Sequence, residues 1–382
     1  MNFDYLSKSW KILVIDDSKL NRAIVKKVLS SLNMDVEEAN DGLQGLDILK
    51  KNKFDLVLVD IIMPNLDGFG FLSKFKEISE KEFIPVILMT GSEDLNSKIK
   101  GLRIGADDFL LKPLNEKELI ARVFSLLRLK SVYTELYEKN LLIKKELEIA
   151  KRIQQFIIPN DFSTIPYPKI SGYYLPIEDI GGDFFDCYSL NDNNFGFLIA
   201  DVTGHGIPAA LVMTMSKMIF SIYAPRFNST KELFEAVNSN IKNLLLDTQY
   251  ITSFYIIYDS KNNRIKFSNA GHTWALLYRA SKGKVIALDT KGFFIGISEQ
   301  SSYEEKSLPV ATGDRIVMYT DGVTEINNNA GDNYGEKRLA NFIKNNNDKN
   351  GDAFCMALIH DLKKYTSLEK RTDDIALLCI EF

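Results

Sequence analysis

The sequence predicts a doubly wound α/β domain with a parallel sheet, a helical connector, and a layered α+β domain. Three observations carry this expectation. From Lys11 to about Leu127, short apolar runs alternate with helix-period segments. From Leu126 to Ile157, apolar positions recur at alternating steps of three and four. After Ile158, β-type runs dominate and two helix-period segments interrupt them. At 382 residues the chain exceeds one ordinary core and accommodates two domains and a connector.

In the first segment the strand candidates are Ile12 to Ile15, Val36 to Ala39 (the weakest), Leu56 to Val59, Val86 to Met89 and Phe109 to Leu111. Helix-period segments include Leu20 to Leu32, Gly42 to Lys50 and Glu116 to Leu127. Such alternation predicts a parallel sheet covered on both faces, with ligands bound beyond the carboxyl ends of its strands. The polar residues at those ends are Asp16, Asp17, Asp60, Thr90 and Lys112. Three carboxylates at neighbouring strand ends repel one another unless a cation joins them, which implies Mg²⁺. Lys112 is then placed to pair with an anion bound beside it.

In the connector, Leu126, Leu129, Tyr133, Leu136, Asn140, Ile143, Leu147, Ala150, Gln154 and Ile157 form the seam of a coiled coil. Asn140 and Gln154 would fix register in a parallel homodimer at some cost in stability. A single amphipathic helix packed on its own domains is the alternative. Pro159 and Pro166 close the helical region.

In the last segment, strands are expected at Asn194 to Ala200, Ile251 to Tyr258, Arg264 to Asn269, Ala275 to Tyr278, Arg315 to Thr320 and Ile375 to Ile380, with helices at Ala209 to Ala224 and Thr230 to Leu246. Glycine-flanked acidic motifs adjoin these strands: Gly-Gly-Asp183, Asp201-Val-Thr-Gly-His205-Gly, Thr-Asp321-Gly and Asp373-Asp374. Carboxylates gathered at strand ends, with glycines that let backbone approach closely, suit hard divalent cations. A two-metal hydrolytic site is the expectation.

Composition narrows the partners. Hydrophobic residues at 45% and charged residues at 26% are those of a soluble globular protein, and a net charge of -4 gives no reason to expect nucleic acid binding. Three cysteines (Cys187, Cys355, Cys379) without Cys-x-x-Cys spacing argue against a disulfide framework or a zinc site, which fits a reducing cytoplasm. Met1 to Trp10 has no apolar signal core, and Ala209 to Ala224, which carries Lys217, reads as a buried helix too short to span a bilayer. No membrane association is expected.

The first segment resembles the receiver domain of two-component response regulators. The residues that carry the resemblance are the Asp16-Asp17 pair, Asp60 followed by Ile-Met-Pro64 and Asp67-Gly68, Thr90-Gly91, and Lys112-Pro113. It implies that Asp60 accepts a phosphoryl group from a histidine kinase or small phosphodonor. Asp17, Asp60 and the Ile62 carbonyl would hold Mg²⁺, with Asp16 acting through water. Thr90 and Lys112 would sense the phosphoryl group, and Phe109 occupies the aromatic switch position.

The second half resembles the SpoIIE-like, RsbU-type branch of the PPM metal-dependent Ser/Thr phosphatases. In order, the matching motifs are Glu146-Leu-Glu-Ile-Ala150 running into Ile153-Gln154 and Pro159, Gly181-Gly-Asp183-Phe-Phe-Asp186, Asp201-Val-Thr-Gly-His205-Gly, Asn269-Ala-Gly-His272, Tyr319-Thr-Asp-Gly-Val-Thr-Glu325 and Asp373-Asp374. The resemblance implies a sandwich of two antiparallel sheets with two Mn²⁺ or Mg²⁺ ions at one edge. By it, Asp201 bridges both ions, the Val202 carbonyl binds one, Asp183 orients bound waters, and Asp321 and Asp373 complete the second ion, with Asp374 the alternative to Asp373. Paired cations would acidify a water for in-line attack on phosphorus. His205 either protonates the leaving serine oxygen or stabilises its loop.

His272 is expected to be structural, His360 has no partner motif, and Glu325 and Asp186 are expected to support the site or the fold. Cys187 lacks an arginine six residues on, where Asn193 stands, so a thiol mechanism is not expected. Gly181-Gly-Asp-Phe-Phe185 superficially resembles a diguanylate cyclase loop, but Phe184 cannot ligate metal. The expected organisation is a receiver at 1-128, a linker at 129-158 and a phosphatase at 159-382. The expected function is a response regulator whose phosphorylation at Asp60 controls a phosphoserine/phosphothreonine protein phosphatase. The resemblance suggests an anti-sigma-factor antagonist of STAS type as its substrate. The competing expectation is an inactive phosphatase-like adaptor.

Overall fold

The structure, a computed structural model, describes residues 9–78, 83–91, 95–163, 165–246, 248–366, 371 and 373–382. It divides into two compact units, Met1–Lys144 and Lys145–Phe382.

In the first unit, strands β1 (Lys11–Ile15), β2 (Asp35–Ala39), β3 (Leu56–Asp60), β4 (Val86–Thr90) and β5 (Asp108–Leu111) form a parallel sheet in the order β2-β1-β3-β4-β5. Helices α1 (Lys19–Ser30), α2 (Gly42–Lys51), α3 (Gly68–Ile78), α4 (Leu95–Ile104) and α5 (Glu116–Ile157) alternate with the strands and follow the last of them. Successive strand residues face opposite ways, so each strand feeds two cores. Ile12, Val14, Leu58 and Ile87 cluster with Val25 and Leu29 of α1 and with Leu119 and Val123 of α5. Leu13, Ile15, Val57 and Val59 cluster instead with Leu46 of α2 and with Phe71 and Phe75 of α3. This is the doubly wound sheet expected, with α3 and α4 added. The start of α3, Gly-Phe-Gly, has weak helix propensity.

Helix α5 is continuous over 42 residues, and its seam is not open throughout. Leu126 is buried in the first unit's core, while Gln154 is buried and Ile157 packs on the core of the second unit. Leu129, Tyr133, Leu136 and Ile143 are exposed between them. The expectation of a ten-position seam is therefore corrected: its ends are used within the chain, and Gln154 is not a register-fixing residue facing a partner helix.

The second unit contains two antiparallel five-stranded sheets. One holds β7 (Phe184–Ser189), β8 (Asn194–Val202), β9 (Ile251–Asp259), β10 (Arg264–Ala270) and β13 (Lys306–Pro309) in the order β13-β10-β9-β8-β7. The other holds β6 (Lys169–Leu175), β11 (Leu276–Arg279), β12 (Lys284–Ala287), β14 (Arg315–Tyr319) and β15 (Ile375–Glu381) in the order β12-β11-β14-β15-β6. Phe197, Ile199 and Ile256 from the first sheet share a core with Ile316, Met318, Leu378 and Ile380 from the second. Helices α6 (Gly206–Tyr223) and α7 (Thr230–Ile241) add Val212, Met213, Phe220, Phe234 and Val237 to that cluster. The alternate residues Val317, Tyr319, Leu377 and Cys379 meet Leu339 of α8 (Gly335–Asn345) and Phe354 and Leu358 of α9 (Gly351–Tyr365). The result is the expected sandwich flanked by helices. Edge strands β12 and β13 are short and mostly exposed, which left them no apolar run to read.

Helix α6 departs from expectation. Gly206–Arg226 is long and apolar enough to cross a membrane by length and composition. Only one face is buried: Val212, Met213, Ser216 and Phe220 point into the core, while Ile207, Leu211, Met218 and Ile222 are exposed. Lys217 on this helix pairs with Asp186 of β7, tying helix to sheet.

Candidate metal centres

In the first unit, the strand ends bring Asp16, Asp17 and Asp60 together, with one ligand oxygen from each lying within 4.8 Å of the others. Asp16 is anchored by Ser18 N at 2.8 Å and by the Asn21 amide at 3.2 Å, and Asp17 is exposed. Thr90 ends β4 and is buried, and its carbonyl accepts from Lys112 N at 2.8 Å. That places the Lys112 ammonium between two carboxylates, 2.8 Å from Asp16 and 2.6 Å from Asp60. Burial raises the Asp60 carboxyl above its ordinary range, against the opposing hydrogen bond and charge of Lys112. Burial would lower Lys112, but its bonds to Asp16 and Asp60 outweigh it and raise the ammonium. Ile62 is exposed and its backbone N–H bonds to the Asp60 carboxylate. Phe109 is half-buried beneath Lys98 Nζ at 4.8 Å and the Arg122 guanidinium at 5.3 Å.

In the second unit, Phe184 pairs with Ala200 across β7 and β8, so Asp183 and Asp201 leave the same end of the sheet. The turn after β14 meets the entry to β15: a Cβ at Gly322 would lie 1.7 Å from the Asp374 carbonyl, so no side chain fits there. This close approach sets Asp321 beside Asp373, and each raises the pKa of the other or of Asp201 by its charge. The last two acids differ in their contacts. Asp374 is buried and accepts from Ile177 N and Gly182 N, each at 2.7 Å. Asp373 is half-buried and accepts Asp374 N at 2.8 Å.

Asp183 is 1% exposed and its Oδ2 has no hydrogen-bond partner. Burial raises its carboxyl far above the ordinary range, and the Asp201 and Asp374 charges raise it further, while the Thr320 hydroxyl opposes this. Asp201 is pushed up to about 7 by burial and by the charges of Asp321, Asp373 and Asp374. Among the described residues, no lysine or arginine pairs with any of these acids. A buried orphan carboxylate oxygen within such a group is what divalent cations resolve. The backbone agrees, since a Cβ at Gly182 would lie 2.9 Å from the Val202 carbonyl. By residue type, burial and mutual charge these acids suit a divalent cation, although among the described residues only Asp16, Asp17 and Asp60 already bring three ligand atoms within 4.8 Å of one another.

His205 stands exposed at the start of α6, with Nδ1 2.8 Å from Glu178, and its charge acts on Asp373. His272 is buried between Thr252 Oγ1 at 2.7 Å and the Tyr319 carbonyl at 3.1 Å, and burial lowers it to about 4. Burial raises the Cys187 thiol well above its ordinary value, which disfavours a thiolate. His360 is exposed on α9.

Residues 191–382, half of the chain, match the family described as Stage II sporulation protein E (SpoIIE). The chain belongs to the SpoIIE family. Residues 12–124 match the response regulator receiver domain. Phosphoserine phosphatase RsbU of Bacillus subtilis (strain 168) is 28% identical over 183 residues, covering 48% of this chain and 54% of RsbU. The probable transcriptional regulator ycf27 of Porphyridium aerugineum is 42% identical over 118 residues, covering 31% of this chain and 48% of that protein. The chain thus spans about half the length of the curated relatives it matches. The SiaA-PP2C domain of Pseudomonas aeruginosa superposes with a TM-score of 0.58 at 20% identity, over 64% of this chain and 98% of that domain, which shows a shared fold. The SpoIIE family member described here is thus a receiver joined to a PP2C-type phosphatase fold.

Thr320, Glu178 and Gln154 join the second centre although the sequence assigns none of them a role in it. Thr320 lies within the Thr-Asp-Gly motif, and its hydroxyl serves both Asp183 and Ala376 N. Glu178, the partner of His205, sits in an unmarked loop. Gln154 donates to the Gly181 carbonyl from what the sequence presents as a coiled-coil seam.

Proposed function

We propose that the chain is a divalent-metal-dependent phosphoserine/phosphothreonine protein phosphatase under receiver control. The orphaned, buried oxygen of Asp183 beside Asp201 carries this reading, because a phosphatase-like domain that had lost its metals would have no reason to keep that arrangement. Asp201, the Val202 carbonyl, Asp321 and Asp373 would hold two Mn²⁺ or Mg²⁺ ions, and Asp183 would orient the waters bound to them. Asp374 is the anchor of the Gly181–Asp183 segment rather than a ligand. Bound, the paired ions would supply an acidified water and neutralise phosphoryl charge. The chain's own residues position the ions, and Glu178 orients His205 to hold a proton for the leaving serine oxygen.

In the receiver, Asp60 accepts the phosphoryl group from a histidine kinase or small phosphodonor. Asp17, Asp60 and the Ile62 carbonyl hold Mg²⁺, Asp16 acts through water, and Lys112 and Thr90 respond to the new charge. The exposed middle of α5, Leu129 to Ile143, is the part left to join two copies. Cytoplasmic action on a STAS-type anti-sigma-factor antagonist is the route that the likeness to RsbU supports. The test is phosphate release from a phosphoserine protein with and without Mn²⁺ and acetyl phosphate. Activity should require Mn²⁺, vanish in Asp201→Asn, and lose its response to acetyl phosphate in Asp60→Asn. A folded chain that releases no phosphate under any condition would favour the adaptor.

A further inference from the structure

The side chain of Gln154 makes a closed pair with one backbone residue. Its Nε2 donates to the Gly181 carbonyl at 2.7 Å, and its Oε1 accepts from Gly181 N at 3.1 Å. The amide is 6% exposed and lies one turn from the end of α5, within the second unit. An apolar residue would be the ordinary occupant of such a position. A buried amide is tolerated there only with both of its bonds made, since a lost partner leaves a desolvated polar group.

What Gln154 holds is the strand entry that ends in Asp183. On its other side the same segment is held by Asp374, which accepts from Gly182 N at 2.7 Å and from Asp183 N at 3.4 Å. Gly181 has no room to adjust: a Cβ there would lie 2.1 Å from Asp374 Oδ2 and 2.4 Å from the Tyr174 hydroxyl. The segment is thus clamped between a helix side chain and a buried carboxylate, two residues before the orphaned Asp183 oxygen. Hydrogen bonds of this kind fail within a fraction of an ångström to an ångström. A shift of the helix by one residue, about 1.5 Å along its axis, would break the pair.

We propose that Gln154 is a positioning residue: through its paired bonds to Gly181 it sets the Asp183 carboxylate and thereby the affinity of the second unit for its divalent cations. The inference rests on the metal-dependent reading given above. It also makes the last turn of α5 a direct input to that centre. Outer groups that hold ligands in place are typically worth about 10- to 100-fold in metal affinity.

The experiment is a calorimetric Mn²⁺ titration of the full chain, with thermal midpoints taken in chelator, for wild type, Gln154→Met and Ile158→Ala, all three carrying Asp17→Asn and Asp60→Asn so that the receiver's acids take up no Mn²⁺. Met keeps the length of Gln and removes both bonds. Ile158, buried in the same core at the end of the same helix, controls for a general loss of packing. Gln154→Met should weaken Mn²⁺ binding about tenfold or more, and phosphate release should recover when Mn²⁺ is raised in proportion. Ile158→Ala should lower the thermal midpoint and leave Mn²⁺ affinity within about twofold. If Gln154→Met binds Mn²⁺ as wild type does, or if Ile158→Ala weakens binding equally, the proposal is overturned while the metal centre stands. If wild type binds no Mn²⁺ at all, the metal-dependent reading falls and takes the proposal with it.

Discussion

The two units gather acids at the ends of their sheets, yet they treat the resulting repulsion differently. In the first unit a lysine is built in: Lys112 lies 2.8 Å from Asp16 and 2.6 Å from Asp60, so part of the charge is balanced by the chain itself. In the second unit no such cation is supplied among the described residues, and Asp183 and Asp201 are driven toward the protonated form. His272, buried between Thr252 and the Tyr319 carbonyl, is kept neutral by that burial. A site that carries its own counter-ion can receive and lose a small anion reversibly. A site that lacks one would need a bound cation to keep its acids ionised.

The largest expected effect comes from removing the uncompensated charge. Asp183→Asn should cut Mn²⁺-dependent phosphate release by about 100-fold, since the buried acid that orients the metal-bound waters beside Asp201 is lost. In chelator the same variant should be more stable than wild type by about 1 kcal/mol, because a buried like-charge neighbour of Asp201 is gone. Turnover and denaturant melts on one preparation would check both, and a variant less stable in chelator would show that the orphan oxygen is not under repulsion.

The next effect concerns the neutral histidine. A group whose pKa falls from 6.5 to about 4 on folding stabilises the fold above 6.5 and loses that contribution as pH drops toward 4. Wild type should therefore lose about 3 kcal/mol relative to His272→Gln over that interval. The raised acids act in the opposite sense: in chelator they destabilise as pH rises from 3.8 through about 7 for Asp201. Taking the difference between variant and wild type removes that shared trend. A flat difference would mean that His272 is charged in the fold.

The smallest effect makes the first site resemble the second. Lys112→Met should cost about 2 kcal/mol in chelator, less than the loss of one partner from a fully buried pair because the ammonium is partly exposed. Mg²⁺ should restore more stability to this variant than it adds to wild type, as followed by unfolding at matched Mg²⁺. Equal Mg²⁺ gains would show that Lys112 does not carry the compensation assigned to it.

The contrast also explains what the sequence made legible. Both sets of acids could be read because each adjoins an apolar strand, and a strand end is a place that periodicity identifies. Both sheets followed from the runs feeding them, apart from β12 and β13 at an edge and β6 and β7, which lack a clean alternation. The different contacts of Asp373 and Asp374 were not legible, since adjacent acids differ only in which way they face. The structure separates them by the hydrogen bonds of Asp374 to Ile177 and Gly182. Gln154 was misread for a related reason: a seam records spacing along a helix, not what covers it, and here the covering is Gly181 of the same unit.

The central claim, that the acids of the second unit hold a metal pair, is tested most directly by anomalous diffraction from crystals of the full chain grown with Mn²⁺. The account predicts two anomalous peaks, about 3.5–4 Å apart, flanking the Asp201 carboxylate and within ligand distance of the Val202 carbonyl, Asp321 and Asp373. Crystals whose only Mn²⁺ peak lies at Asp16, Asp17 and Asp60 would contradict it.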